Sequence, residues 1–213
     1  MSKAGKTKKT GTAPKRRGRA EPGQGNNKTR TRLPGDPGKR EMIERMIRVD
    51  HAGEYGAVRI YEGQLSVLKG SENGPLIEHM ADQERRHLEA FNTLVPERRV
   101  RPTALLRAWR LAGFAWGAGT AMLGEEAAMA CTGAVEEVID EHYAGQVAAL
   151  DADMGPDGEE LELRDTLEEF RLDEVDHMQT GFEHGAEDAP GYEVLTGLIK
   201  SGSRLAIWLS TRI

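Results

Sequence analysis

Apolar side chains recur at three- and four-residue spacing along most of the chain beyond residue 39, and no clear period-two run interrupts them. That spacing marks amphipathic helices. The first is predicted over 39–69, where Ile43, Met46, Ile47, Val58, Ile60, Leu65 and Leu68 supply the apolar face. Gly70, Asn73, Gly74 and Pro75 make a turn. A second helix is predicted over 75–95, with Pro75 suited to its first position and Pro96 as its stop. Residues 103–124 read differently: 111–124 carry no charge, and Arg107, Trp109 and Arg110 lie just upstream. The run is too short for the ~20 apolar residues of a spanning helix. It fits a helix lying in a membrane interface, or else a buried core helix. Two further bundle helices are predicted over 123–150 and 159–184, joined by a loop at 151–158. After Pro190 a last apolar segment, 192–213, carries Lys200, Arg204 and Trp208 and is again too short to span.

Six residues organise these helices: Glu54, Glu84, His87, Glu136, Glu174 and His177. They form two copies of one pattern, a lone Glu followed one helix later by Glu-x-x-His. Residues i and i+3 share a helix face, so each Glu-x-x-His aims a carboxylate and an imidazole the same way. One such motif arises readily by chance in a Glu-rich helix. Two copies on apolar faces do not, because buried carboxylates are costly unless paired or bound to metal. Ile47 and Val58 flank Glu54. Ile77, Met80, Leu88 and Phe91 accompany Glu84, and Leu167, Phe170 and Met178 accompany Glu174. One Glu from each of two helices, with Glu-x-x-His from each of the other two, is the ligand set of di-iron or di-manganese carboxylate bundles. The predicted fold class is therefore all-α: a ferritin-like four-helix bundle with additional interfacial apolar helices.

Smaller features refine this picture. Gly53 and Gly56 flank Glu54 and point to close packing or a bound group there. Small residues at 127–134 are expected to leave room beside Glu136. Tyr61 and Tyr143 each lie seven residues after a lone glutamate, hence on that glutamate's face. Asp173 and Asp82 are candidates to accept the second ring nitrogen of the ligand histidines. Of the other histidines, His51, His142 and His184 suit a surface position or a role beside the ligands better than ligation.

Composition divides the chain. The net charge of −6 combines a basic stretch and an acidic body. Residues 1–40 hold 13 Lys/Arg against Glu21 and Asp36, and 41–213 hold 16 Lys/Arg against 33 acids. Residues 1–40 are expected to be a disordered basic tail, lacking apolar residues to offset the entropy of ordering. They contain no apolar core of a signal peptide. Residues 41–213 form the folded domain. The single Cys131 excludes an intramolecular disulfide.

The stretches MIRVDHAGEYGAVRIYEGQ, DQERRHLEAFN, GFAWGAGTAMLGEEAAMACTGAVEEVIDEHY and FRLDEVDHMQTGFEHGAEDAP resemble the demethoxyubiquinone hydroxylase family of ubiquinone biosynthesis. The resemblance covers about residues 41–213. It implies a non-haem di-iron centre on Glu54, Glu84, His87, Glu136, Glu174 and His177. It implies oxygen-dependent hydroxylation of a polyprenyl demethoxy-quinol, with NADH or a quinol-linked donor as the source of reducing equivalents. It places His142 and Tyr143 near the quinone or the electron path. The implied partners are the quinone, a membrane surface met by residues 103–124 and 192–210, an accessory lipid-binding protein, and further copies of the chain. No nucleic acid is expected. The implied location is peripheral, on the cytoplasmic face of a bacterial inner membrane or the matrix face of the mitochondrial one. The same ligands also serve iron storage or oxidation in ferritin-like proteins and peroxide removal in manganese catalases. A scaffold without catalysis would not need them.

Overall fold

The computed structural model describes residues 37–153, 158 and 160–213. They form six α-helices and one 3-10 turn, Ala186–Asp188. The helices are α1 Lys39–Leu68, α2 Gly74–Glu97, α3 Leu106–Met122, α4 Glu125–Asp153, α5 Leu161–Glu183 and α6 Tyr192–Arg212. No strand occurs among the described residues. The expected tail falls mostly on residues 1–36, half of the expected loop on 154–157, and the expected first residue of the last bundle helix on 159, outside the described set.

The predicted helices recur with shifted ends. Pro96 does not stop α2: placed in its last turn, it removes one backbone donor, and the helix runs on to Glu97. The chain turns at Arg99, whose φ is 54°. Gly124, with φ 127°, separates α3 from α4, so α4 begins two residues later than expected.

Helices α1, α2, α4 and α5 form the bundle, with α1 against α2 and α4 against α5. Helix α3 packs along α1, and α6 lies against α4 and α1. Each half of the chain thus repeats three helices: a lone-Glu helix, a Glu-x-x-His helix, and an outer helix covering the first. The closest approach is between α1 and α3, where a Cβ at Gly117 would collide with the Ile60 carbonyl oxygen. On the other side, α6 is tied to α4 by Lys200–Glu137 at 2.6 Å and Arg204–Glu141 at 3.0 Å.

Two apolar clusters bracket the interior. One gathers Tyr61, Leu65, Ile77, Met80 and Ala127 through Ala130, the other Ile43, Ile47, Phe91, Tyr143, Leu163, Leu167 and Phe170. Each large side chain buried here contributes ~1.5–3 kcal/mol, which offsets the cost of the acids held between them. The small residues at 127–134 belong to this packing and do not open a space beside Glu136. A Cβ at Gly181 of α5 would stand 2.9 Å from the Met129 carbonyl, so small residues there let α4 and α5 approach.

Candidate metal centre

Helical spacing delivers all six predicted residues to one interior point. Glu54 and Glu136 come from α1 and α4, Glu84 and His87 from α2, and Glu174 and His177 from α5. Each is at most 3% exposed. Their donor atoms form two overlapping groups, Glu54, Glu84, His87 and Glu174, and Glu84, Glu136, Glu174 and His177. Glu84 and Glu174 belong to both. The arrangement is one of two adjoining sites with two shared carboxylates and one private Glu and His each.

The histidines are oriented from behind. His87 Nε2 donates to Asp173 Oδ2 at 3.0 Å, and His177 Nε2 donates to Gln83 Oε1 at 3.2 Å. That turns both Nδ1 atoms inward, to 3.2 Å from Glu174 for His87 and 3.1 Å from Glu84 for His177. Asp173 is thus placed as expected. Asp82 is not: it lies exposed on the outer face of α2, paired with Arg85. Gln83, one residue along, serves instead; being neutral, it gave no signal in a search for acids.

The tyrosines cross between the halves. Tyr61 of α1 donates to Glu136 of α4 at 2.9 Å, and Tyr143 of α4 donates to Glu54 of α1. Spacing put each on its own glutamate's face, but inside a bundle that face looks across to the opposite ligand. Burial and nearby carboxylates raise both phenols well above their ordinary value, so they remain donors. His51 bonds Asn92 at 3.2 Å and His142 bonds Asp50 at 2.9 Å, both beside the ligands. Exposed His184 meets the carbonyl of Thr180.

The donor set fits divalent metal. Glu54 Oε2, Glu84 Oε1, Glu136 Oε2, both Glu174 oxygens and the Nδ1 atoms of His87 and His177 are buried without a hydrogen-bond partner. Orphaned buried atoms on charged groups cost several kcal/mol per ion. All converge on one point, where cations would satisfy them together. Protons otherwise carry the charge. Burial and the Glu174 charge push Glu84 up to about 8, and burial with Glu174 and Glu84 raises Glu136 well above the carboxylate range. Burial works against charge on the histidines, but the carboxylates of Glu174 and Glu54 facing its ring carry His87 to about 12. The carboxylates of Glu174 and Glu84 beside it carry His177 to about 10. Against its own burial, Glu174 is held at about 2 by His177 and His87. Imidazole and carboxylate together suit iron or manganese.

A cavity of about 130 Å³ reaches this centre from between α3 and α6. Glu54, Glu84, Glu136 and Glu174 form its floor; Ile60, Trp109, Trp116, Val135, Ile139 and Ile207 contribute apolar wall. Gly53 and Gly56 line it too, and a Cβ at either would meet nothing within 4 Å, so the room expected near a ligand is on α1. At the mouth Trp109 donates to Ser210 at 2.9 Å, and the Trp116 ring lies over Gly202. Trp116 is therefore a wall between helices, and the outer apolar face is formed by other residues. Leu111, Phe114 and Met122 of α3 and Val194, Leu198, Leu205 and Trp208 of α6 are exposed, Leu111 and Met122 by more than 70%. No helix among the described residues is long and apolar enough to cross a membrane.

The sequence is similar to those of known proteins. A Dictyostelium discoideum protein named NADPH-dependent 3-demethoxyubiquinone 3-hydroxylase, mitochondrial, is 55% identical over 175 residues, 82% of this chain and 79% of that protein. A Rhodospirillum rubrum protein named 3-demethoxyubiquinol 3-hydroxylase is 52% identical over 183 residues, 85% and 84% of the two chains. The human protein that shares the Dictyostelium name is 51% identical over 175 residues, 82% and 79% of the two chains. Residues 41–210 match the family described as ubiquinone biosynthesis protein COQ7, and the chain belongs to that family.

Proposed function

We propose that this chain is a di-iron monooxygenase that hydroxylates the ring of a polyprenyl demethoxy-benzoquinol in ubiquinone biosynthesis, using dioxygen and a reduced nicotinamide or quinol-linked donor. One observation carries the reading: a buried cluster of orphaned carboxylate and imidazole atoms forms the floor of an apolar cavity whose mouth lies between two helices with exposed apolar faces. Glu54, Glu84, His87, Glu136, Glu174 and His177 would hold two irons, which supply the activation of dioxygen when bound.

The rest of the chemistry belongs to the chain. Shared Glu84 and Glu174 keep the two sites adjacent. Tyr61 and Tyr143 hold the private carboxylates by one oxygen and leave the other free. The apolar wall excludes water from the ring and orients it over the floor. Tyr143, bonded to Glu54, serves the quinone and electron path at that end, and His142 adjoins it on the side of Asp50. The substrate's polyprenyl tail keeps it in the bilayer at ~0.8 kcal/mol per CH₂. The exposed faces of α3 and α6, edged by Arg107, Arg110, Arg204 and Arg212, would rest on that bilayer with the cavity mouth toward it. The location proposed is peripheral, on the cytoplasmic or matrix face of an inner membrane. An accessory lipid-binding partner and self-association are proposed with it.

The test is iron-linked turnover. Ferrous-loaded protein in detergent, given a short-chain demethoxyquinone, NADH or NADPH and oxygen, should hold about two irons per chain. It should release a product heavier by one oxygen, and Glu136→Ala should abolish that product. Ferrous oxidation without a quinone product would favour the iron-storage reading.

A further inference from the structure

Both halves of the chain carry one frame around the centre. Ten residues after each private glutamate stands a glutamine, Gln64 after Glu54 and Gln146 after Glu136. Each crosses to the residue four positions before the other glutamate. Gln64 Nε2 donates to Thr132 Oγ1 at 3.3 Å, and Gln146 Nε2 donates to Asp50 Oδ1 at 2.8 Å. The geometry repeats and the chemistry does not. Where the Glu136 end has Thr132 and Ile60, the Glu54 end has Asp50 and His142. Ile60 packs against the apolar cluster of Cys131, Ala134 and Val135. His142 instead donates from Nε2 to Asp50 Oδ1 at 2.9 Å.

The pair spans from water to the interior. The His142 side chain is 18% exposed, the Asp50 side chain 0%, and Asp50 Oδ2 is buried without a partner. Asp50 lies one helical turn before Glu54, on the same face of α1. A threonine performs the frame's hydrogen-bonding task at the other end, so a buried acid with an idle oxygen is more than the frame requires.

We propose that Asp50 and His142 form a proton port serving the Glu54 end of the centre. It rests on the hydroxylase reading, in which one atom of dioxygen leaves as water and protons must reach a site closed to solvent. His142 takes a proton from water at Nδ1 as it passes the proton on Nε2 to Asp50 Oδ1. The Asp50 carboxyl then turns to bring that proton to the side of its unpartnered oxygen and releases it toward Glu54 and Tyr143, returning to the carboxylate, while the partly exposed ring exchanges its Nδ1 proton for one on Nε2 through water. One proton enters for each delivered, and no electron moves along the pair.

The fold itself supplies the test. The double variant Asp50→Thr/His142→Ile rebuilds at the Glu54 end the residues already present at the Glu136 end. It should keep wild-type helicity, iron content and KM for a short-chain demethoxyquinol, while kcat falls about tenfold to a hundredfold. His142→Gln, at a partly exposed position, should do the same and enlarge the solvent deuterium isotope effect; it decides the matter should the double variant not fold. In metal-free wild type, nitrogen NMR should find the neutral His142 ring as the Nε2–H tautomer. Full iron content with unchanged kcat in either variant, or the Nδ1–H tautomer, overturns the port. A wild type that yields no hydroxylated quinol removes the hydroxylase reading itself, and the port with it, so the two failures are told apart.

Discussion

The two ends of the centre share a frame of tyrosine and glutamine and differ in the residues set beside it. Beside Glu54 and His87 stand Asp50, His51, Asn92, His142 and Asp173. The matching positions beside Glu136 and His177 hold Thr132, Gly133, Phe182, Ile60 and Gln83. One end is ionisable and touches water; the other is neutral and mostly apolar. Repetition of the candidate ligands sets what the centre could hold, whereas the unequal surroundings distinguish its two ends. Two metal sites with identical donors therefore need not be equivalent in affinity or in proton supply.

The strongest way to break this comparison is to remove ligands singly. Glu174→Ala takes a carboxylate from both sites, and metal analysis after anaerobic ferrous loading should find almost no iron. Glu54→Ala takes one from a single site and should leave about one iron per chain. Equal losses in both variants would mean that the sites are not separable.

Proton linkage gives the next largest effect. In metal-free protein Glu84, at about 8, stands above its ordinary 4.5, and His177 and His87, at about 10 and 12, stand above 6.5. Folding therefore favours protons on all three. The stability they contribute is complete below their ordinary values and is lost as pH rises through the folded ones. Glu174, lowered from 4.5 to about 2, acts oppositely, its contribution being lost as pH falls through that range. The melting temperature of metal-free protein should thus fall between about pH 5 and pH 8, and that of the iron-loaded protein should change less. Loading near neutrality should release roughly four protons per chain, from Glu84, Glu136, His87 and His177, measurable with a pH indicator.

A smaller effect sharpens the contrast between the ends. Asp173→Ala removes a charged acceptor from His87 and should weaken iron binding by about tenfold to a hundredfold. Gln83→Ala removes a neutral one from His177 and should cost less. Titration calorimetry of the two variants compares them directly. Smallest of all is Lys200→Ala at the α4–α6 contact, a partly exposed ion pair whose loss should cost ~0.2–1 kcal/mol in a denaturant melt.

The convergence of the six candidate ligands was legible because they obey one-dimensional spacing: three residues within a helix turn, and one helix between partners. Asp173 was legible as an acid adjoining a ligand. The crossings were not. Tyr61 meets Glu136 75 residues away, and His142 meets Asp50 across 92 residues, separations that only the packing of α1 on α4 closes. Residues 103–124 read as a membrane-facing stretch because 111–124 are uncharged, but Trp116 within it turns inward. The glycine at 202 admits its ring between α3 and α6, and Leu111, Phe114 and Trp208 form the outer surface instead. The small residues before Glu136 looked like space and are contact, since composition alone does not say whether a neighbouring helix fills the gap.

The central claim, that this metal centre inserts oxygen into a quinol ring, is tested most directly by the fate of labelled dioxygen. Iron-loaded protein turning over a short-chain demethoxyquinol under isotopically labelled dioxygen should place one labelled atom in the product, seen by mass spectrometry. Product carrying only oxygen from water, or dioxygen consumed with the quinol unchanged, would contradict the account.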